Sequence, residues 1–188
     1  MARPREFDIE AALDAAAGVF REQGFAGTST GDLTAAMGIG RQSLYDTFGD
    51  KAQLYEAALA RSLALENEAH RGALSTGPRA IDGLEIFLAR VRAKAGEGCL
   101  GLSAASEFGR RRPELTAIIA AADRALVTAL AARVREAQEE GDVGPDVDAR
   151  EAAAFLAASV SGIRVAARSG AGAAQLQAVA ELALRALR

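Results

Sequence analysis

The sequence predicts an all-α protein, and three observations predict it. Half of the 188 residues are apolar, and alanine and leucine dominate that set; these are the best helix formers. Aromatic residues are few, with seven Phe, two Tyr and no Trp, whereas strands favour aromatic and β-branched side chains. Apolar positions recur every three or four residues, the helical period, and no segment alternates as a half-buried strand does.

Taken in order, the first helix is expected from about Asp8 to Gln23. Asp8 is a good N-cap, and Phe7 before it suits a hydrophobic staple. Ile9, Leu13, Ala16 and Phe20 share one face, and Gly24 ends the helix. A short second helix follows Ser29, with Asp32 three residues on as in a capping box. It carries Leu33, Ala36 and Met37 inward, and Gly38 stops it. A third helix starts near Arg41, with Leu44 and Phe48 facing inward, and Gly49 ends it. Asp50 and Gln53 repeat the capping pattern and open a long fourth helix from Lys51 to about His70.

The glycine- and proline-bearing stretch from Arg71 to Arg79 reads as a connection. A fifth helix is expected from about Ala80 to Ala95, then a break at Gly96-Glu97-Gly98, then a short sixth helix from Cys99 to Phe108. Pro113 suits the first turn of a seventh, which runs to about Glu140 with Leu115, Ile118, Ile119, Leu126, Leu130 and Val134 as its apolar positions. Asp148 with Glu151 caps an eighth that ends at Arg168. A ninth runs from Ala173 to the end.

Charge does not advertise a nucleic-acid partner. The formal net charge is -3, and residues 1–51 hold five Lys and Arg against eight Asp and Glu. A basic domain is the usual footprint of such binding, so any DNA role has to rest on geometry and local charge. The single cysteine, Cys99, excludes an intrachain disulfide and suits a reducing cytosol. Met1 to Arg5 lacks the apolar run of a signal peptide, and no stretch is expected to approach the length of a charge-free membrane span. A soluble, cytoplasmic protein is the expectation.

The informative stretch runs from Thr28 to Lys51. Two short helices separated by Gly38-Ile39-Gly40 have the form of a helix-turn-helix. A recognition helix must enter a groove about 12 Å wide, so it has to be short and polar outside. Leu44 and Phe48 would anchor such a helix. Arg41, Gln42, Ser43, Tyr45, Asp46 and Thr47 are then free to face outward. Spacing alone leaves a plain helical hairpin open.

Residues 7–60 resemble the DNA-binding domain of the TetR/AcrR family of bacterial transcriptional regulators. The resemblance is carried by Phe20 with Gly24-Phe25, Thr28-Ser29-Thr30, Asp32-Leu33, Met37-Gly38-Ile39, Ser43-Leu44-Tyr45 and Phe48-Gly49-Asp50-Lys51. It implies a DNA-binding domain at 1–50 and a helical ligand-binding and dimerisation domain at 51–188, about nine helices in all. It also implies that Arg41, Gln42 and Ser43 face base edges, arginine suiting guanine and glutamine adenine. Tyr45 would reach a phosphate or a thymine methyl. Thr47, Lys51 and Thr28 or Ser29 would bond phosphates. Gly40 departs from the commoner side-chain-bearing residue there. Asp46 reads as a solvated helix-face charge. Arg3 and Arg5 form a small basic arm, which reads equally as a minor-groove arm or an unstructured terminus.

In the last two helices, Phe155, Leu156, Val160, Ile163, Leu176, Val179 and Leu182 are candidates for the four-helix dimer interface that the resemblance implies. They also suit the chain's own core. Candidate effector-lining residues are Phe87, Cys99, Leu102, Phe108, Ile118 and Ile119. Ionisable residues near them in sequence are scarce, so a small apolar ligand is expected. His70 reads as a solvent-exposed histidine at a helix end. Cys99 reads as a buried, inert thiol, with a redox- or electrophile-sensing regulator as the alternative.

Other motifs fail on context. Gly96-Glu97-Gly98-Cys99-Leu100-Gly101 matches a dinucleotide-binding pattern but follows a helix where a strand is required. One His and one Cys cannot build a zinc site of the usual kind, and no cofactor is expected. The reading is therefore a repressor, not an enzyme, working as a homodimer on double-stranded operator DNA with an unknown small-molecule effector. A helical small-molecule binder or enzyme without DNA binding is the alternative of another class.

Overall fold

The computed structural model describes residues 7–188, and the Arg3 and Arg5 arm lies outside them. Among the described residues there are nine α-helices and no strand: α1 Ile9–Gly27, α2 Thr30–Met37, α3 Arg41–Phe48, α4 Lys51–Leu74, α5 Ala80–Ala93, α6 Leu100–Phe108, α7 Pro113–Glu139, α8 Ala149–Arg168 and α9 Ala173–Arg185. A 3-10 turn, Ala95–Glu97, fills the expected break. Asp8 and Asp148 cap α1 and α8 as their positions suggest, each accepting from two backbone amides.

Two boundaries differ from the sequence reading. Gly24 breaks the helical path at φ 72° and ψ 170°, but three further residues wind into a turn before Thr28. The fourth helix runs past His70 to Leu74, because Gly72 alone does not stop it and Gly77-Pro78 come later. In addition, α7 has 27 residues and is apolar enough to cross a membrane by length and composition, although it is not charge-free. Asp123 and Arg124 sit in its middle, where a bilayer would penalise them.

The chain packs as two compact units. One is the described part of Met1–Leu65 with Cys99–Ile119; the other is Glu66–Gly98 with Ala120–Arg188. Each has its own core. Phe20, Leu33, Leu44, Leu54, Tyr55, Leu59, Leu100 and Leu115 are buried in the first. Leu84, Phe87, Leu88, Leu130, Val134, Leu156 and Ile163 are buried in the second. Thus α6 and the start of α7 pack with the N-terminal helices, although some 50 residues separate them in sequence. These are units of packing, whereas the expected boundary near residue 50 is one of role.

Candidate nucleic-acid interface

The helix pair α2–α3 is set by its caps. Ser29 Oγ accepts from the Asp32 amide at 3.1 Å, and the Asp32 carboxylate accepts from the Ser29 amide at 2.9 Å and its hydroxyl at 2.6 Å. Those bonds hold the Asp32 carboxyl below its usual range. Gly38 ends α2 in the left-handed conformation, φ 66° and ψ 27°, a region that costs a residue with a Cβ about 1–2 kcal/mol. Ile39 packs against the core, and Gly40 starts α3 without a side-chain cap.

Leu44 is buried and Phe48 is half-buried against the same core, so α3 turns its other face outward. Arg41, Gln42, Tyr45 and Asp46 are exposed, Tyr45 by 48%, and Ser43 and Thr47 are half-buried beside them. Gln42 Nε2 approaches the Asp46 carboxylate one turn on at 3.4 and 3.5 Å. Asp46 is therefore a surface charge in weak contact with Gln42.

The residues flanking this face are engaged within the chain. Thr28 was expected near phosphate, but it is 2% exposed, and its hydroxyl donates to the Gly24 carbonyl at 2.6 Å. That bond pins the kink at Gly24. Lys51 Nζ donates to the Thr28 carbonyl at 2.6 Å and lies 4.4 Å above the Phe25 ring. Its ammonium keeps further donors, since lysine has three. Ser29 is exposed, with its hydroxyl committed to the capping box.

The turn carrying Phe25 has a support that sequence reasoning missed. Glu107 on α6 accepts from the Phe25 and Ala26 amides, both at 2.9 Å, so one carboxylate satisfies two amides freed by the kink. Phe25, Tyr55 and Phe108 meet edge to face with centroids 5.2–5.6 Å apart. Burial, with Glu107 nearby, pushes the Tyr55 phenol up to about 12. Asp14 and Arg61 form a two-pronged pair at 2.7 and 2.8 Å that ties α1 to α4. Only the local signal of Gly24-Phe25 marked this region in the sequence.

The effector candidates do not assemble into one cluster. Phe87 is fully buried in the second unit's core. Phe108, Ile118 and Ile119 are half-buried against the first unit's core, and Cys99 is 7% exposed at the N-cap of α6; Leu102 is half-buried. His70 is 2% exposed, not solvated. It faces inward because α4 continues past it. The dimer candidates also divide. Leu156, Val160, Ile163 and Leu176 lie in the chain's own core, Val179 is half-buried, and Phe155 and Leu182 are 47% and 57% exposed. Val165, which the sequence reading passed over, is 55% exposed and lies ten residues from Phe155 on α8.

Comparison with known proteins agrees with this geometry. A family described as bacterial regulatory proteins, tetR family, matches residues 12–58, and a tetracyclin repressor-like C-terminal domain matches residues 81–183. The chain is 33% identical over 165 residues to the uncharacterized HTH-type transcriptional regulator YezE of Bacillus subtilis (strain 168), over 83% of this chain and 84% of that one. It is 25% identical over 189 residues to the HTH-type transcriptional repressor ComR of Escherichia coli (strain K12), over 97% and 90%. Among solved structures, a cysteine mutant of the TetR family regulator CifR, complexed with 26-bp double-strand operator DNA, superposes with a TM-score of 0.84. That pair is 33% identical and covers 99% of this chain and 100% of that one.

Proposed function

The chain belongs to the tetR family of bacterial regulatory proteins, and from that premise we propose that this transcriptional regulator is a repressor that leaves its operator when a small molecule binds. The observation that carries this reading is the outer face of α3, where Arg41, Gln42 and Tyr45 stand exposed on a helix anchored by Leu44. Arg41 and Gln42 read base edges, and Ser43 and Thr47 adjust the fit. Tyr45, Lys51 and Ser29 contact the sugar-phosphate backbone. Thr28 acts from behind, by fixing the turn whose carbonyl, its own, holds the Lys51 ammonium.

The roles divide near residue 50: residues 1–50 bind DNA, and residues 51–188 bind the effector and dimerise. Two copies on one palindrome require an isologous surface. Exposed Phe155 and Val165 on α8 and Leu182 on α9 support that surface, with Val179 at its edge. Leu156, Val160, Ile163 and Leu176 shape it from beneath. The regulator works in the cytoplasm, where operator DNA is reached directly. Burial of Cys99 favours its inert reading over the sensing one.

Fluorescence anisotropy on the DNA upstream of its own gene tests the assignment. Arg41→Ala is expected to cost about 1–3 kcal/mol and relax base preference, the size of one bidentate contact. Lys51→Ala is expected to weaken all sequences alike and flatten the salt dependence. Unchanged binding in both variants would refute the assigned face.

A further inference from the structure

The C-terminal part of α4, from Glu66 on, lies in the second unit and carries a polar cluster that the DNA-binding reading does not use. Arg164 on α8 is 9% exposed, and its guanidinium holds both oxygens of Glu66 on α4, one of them at 3.3 Å. One turn on, His70 is 2% exposed, and its Nε2 lies 3.7 Å from Glu66 Oε1. Its Nδ1 faces Arg90 Nη1 on α5 at 3.1 Å, and its ring meets Phe87 edge to face at 5.0 Å.

Protonation follows from the donors. Arginine has no acceptor, so Nδ1 must accept and the Nε2 hydrogen points toward Glu66. The imidazole is neutral: burial first, and then Arg90 and Arg164, drive its pKa down to about 4 against the pull of Glu66. Among these four side chains the charge is therefore two arginines against one carboxylate. A buried guanidinium requires an anion, and here the chain supplies it from the same helix that begins directly after the recognition helix.

We propose that Arg164, with Arg90 beside it, is the recognition site for a monocarboxylate effector with an apolar body, which takes the place of Glu66. This rests on the repressor reading above and gives its effector a chemical class. A planar carboxylate matches a guanidinium fork in two parallel bonds, which a point cation does not offer. Glu66 already demonstrates the fit. Phe87 and the apolar core beside it favour a hydrocarbon body. Displacement has a mechanical consequence, because α4 is one helix from Lys51 to Leu74. Breaking the Glu66 tether on α8 releases the element that leads out of the DNA-binding domain. The effector then binds the released state better and shifts the population toward it.

The test uses the full-length chain without DNA, with benzoate as probe and uncharged benzamide as its control, read by calorimetry at pH 7.5. Benzoate is expected to saturate one site per chain and benzamide to give no binding. Glu66→Gln removes the competing charge and is expected to tighten benzoate roughly ten-fold, the size of a hydrogen bond to a charged group. Arg164→Gln is expected to abolish binding, and Arg90→Gln, near the surface, to weaken it should the first variant fail to fold. Benzoate and benzamide behaving alike, or no binding in either wild type or Glu66→Gln, would overturn the proposal. Operator affinity is measured separately. A chain that binds benzoate through Arg164 but no operator refutes the repressor reading alone, and one that binds operator but never benzoate refutes this inference alone.

Discussion

The outer face of α3 and the polar cluster on α4 are built on opposite plans. On α3, Arg41 and Tyr45 stand in solvent, and Gln42 has only a weak approach to Asp46. On α4, Glu66 and His70 spend their hydrogen bonds on Arg164 and Arg90 of other helices. The difference separates two uses of polar residues. The first set adds little to folding and leaves its polar groups open to solvent. The second is bound into the fold, so a ligand can reach it only by competing with the chain itself.

The sharpest way to break that contrast is to remove a partner from each side. Glu66→Ala leaves Arg164 buried without its carboxylate, and losing one member of a buried pair costs about 3 kcal/mol or more. A quarter of the Glu66 side chain remains exposed, which holds the value at that low end. Arg41→Ala should move stability by less than about 0.5 kcal/mol, as surface changes do. Urea melts of the two variants decide it. Equal losses would show that α3 is not a free surface, and equal indifference that the cluster is not structural.

Acid gives the next largest effect. The folded pKa of His70 is about 4, against an ordinary value of 6.5. Between those values the unfolded chain binds a proton that the folded chain refuses, so stability falls as pH falls. Between pH 7 and pH 5 this contributes a loss of about 2 kcal/mol by linkage. His70→Gln keeps an acceptor for Arg90 but does not titrate in this range, so its melts should show a slope flatter by that amount. The same slope in both proteins would mean that His70 is solvated or charged in the fold.

The two regions also differ in what their sequences disclose. The α2–α3 pair is written locally. Ser29 and Asp32 close a capping box three residues apart, Gly38 is the left-handed stop, and Leu44 marks the inner face. Thr28 was misread because its hydroxyl could serve a phosphate or a carbonyl equally well, and only the kink at Gly24 decides for the carbonyl. The cluster was not legible at all. Glu66, His70, Arg90 and Arg164 span about a hundred residues, and nothing in a linear pattern says that α4, α5 and α8 bring them together. Glu107 was hidden for the same reason, since its targets at Phe25 and Ala26 lie far back in the chain. The dimer candidates do lie on helices, but periodicity does not say which apolar face meets the chain's own core.

The smallest effects lie within the turn between α2 and α3, and they isolate backbone from contact. An added Cβ at either Gly38 or Gly40 would meet nothing within 4 Å, so crowding plays no part. Gly38 sits at φ 66°, and Gly38→Ala should cost about 1–2 kcal/mol from the left-handed backbone alone. Gly40 sits at φ -74° and ψ 157° as the uncapped start of α3, a conformation that suits serine. Gly40→Ser supplies the missing cap oxygen and should gain a few tenths of a kcal/mol. Its hydroxyl would also lie beside the proposed DNA face, so anisotropy on operator should be read with the melts. A gain in stability with unchanged operator affinity assigns Gly40 to the fold. A loss of affinity means that the backbone of this turn approaches DNA too closely for a side chain, which would place the glycine, like Arg41, among the residues kept for the partner.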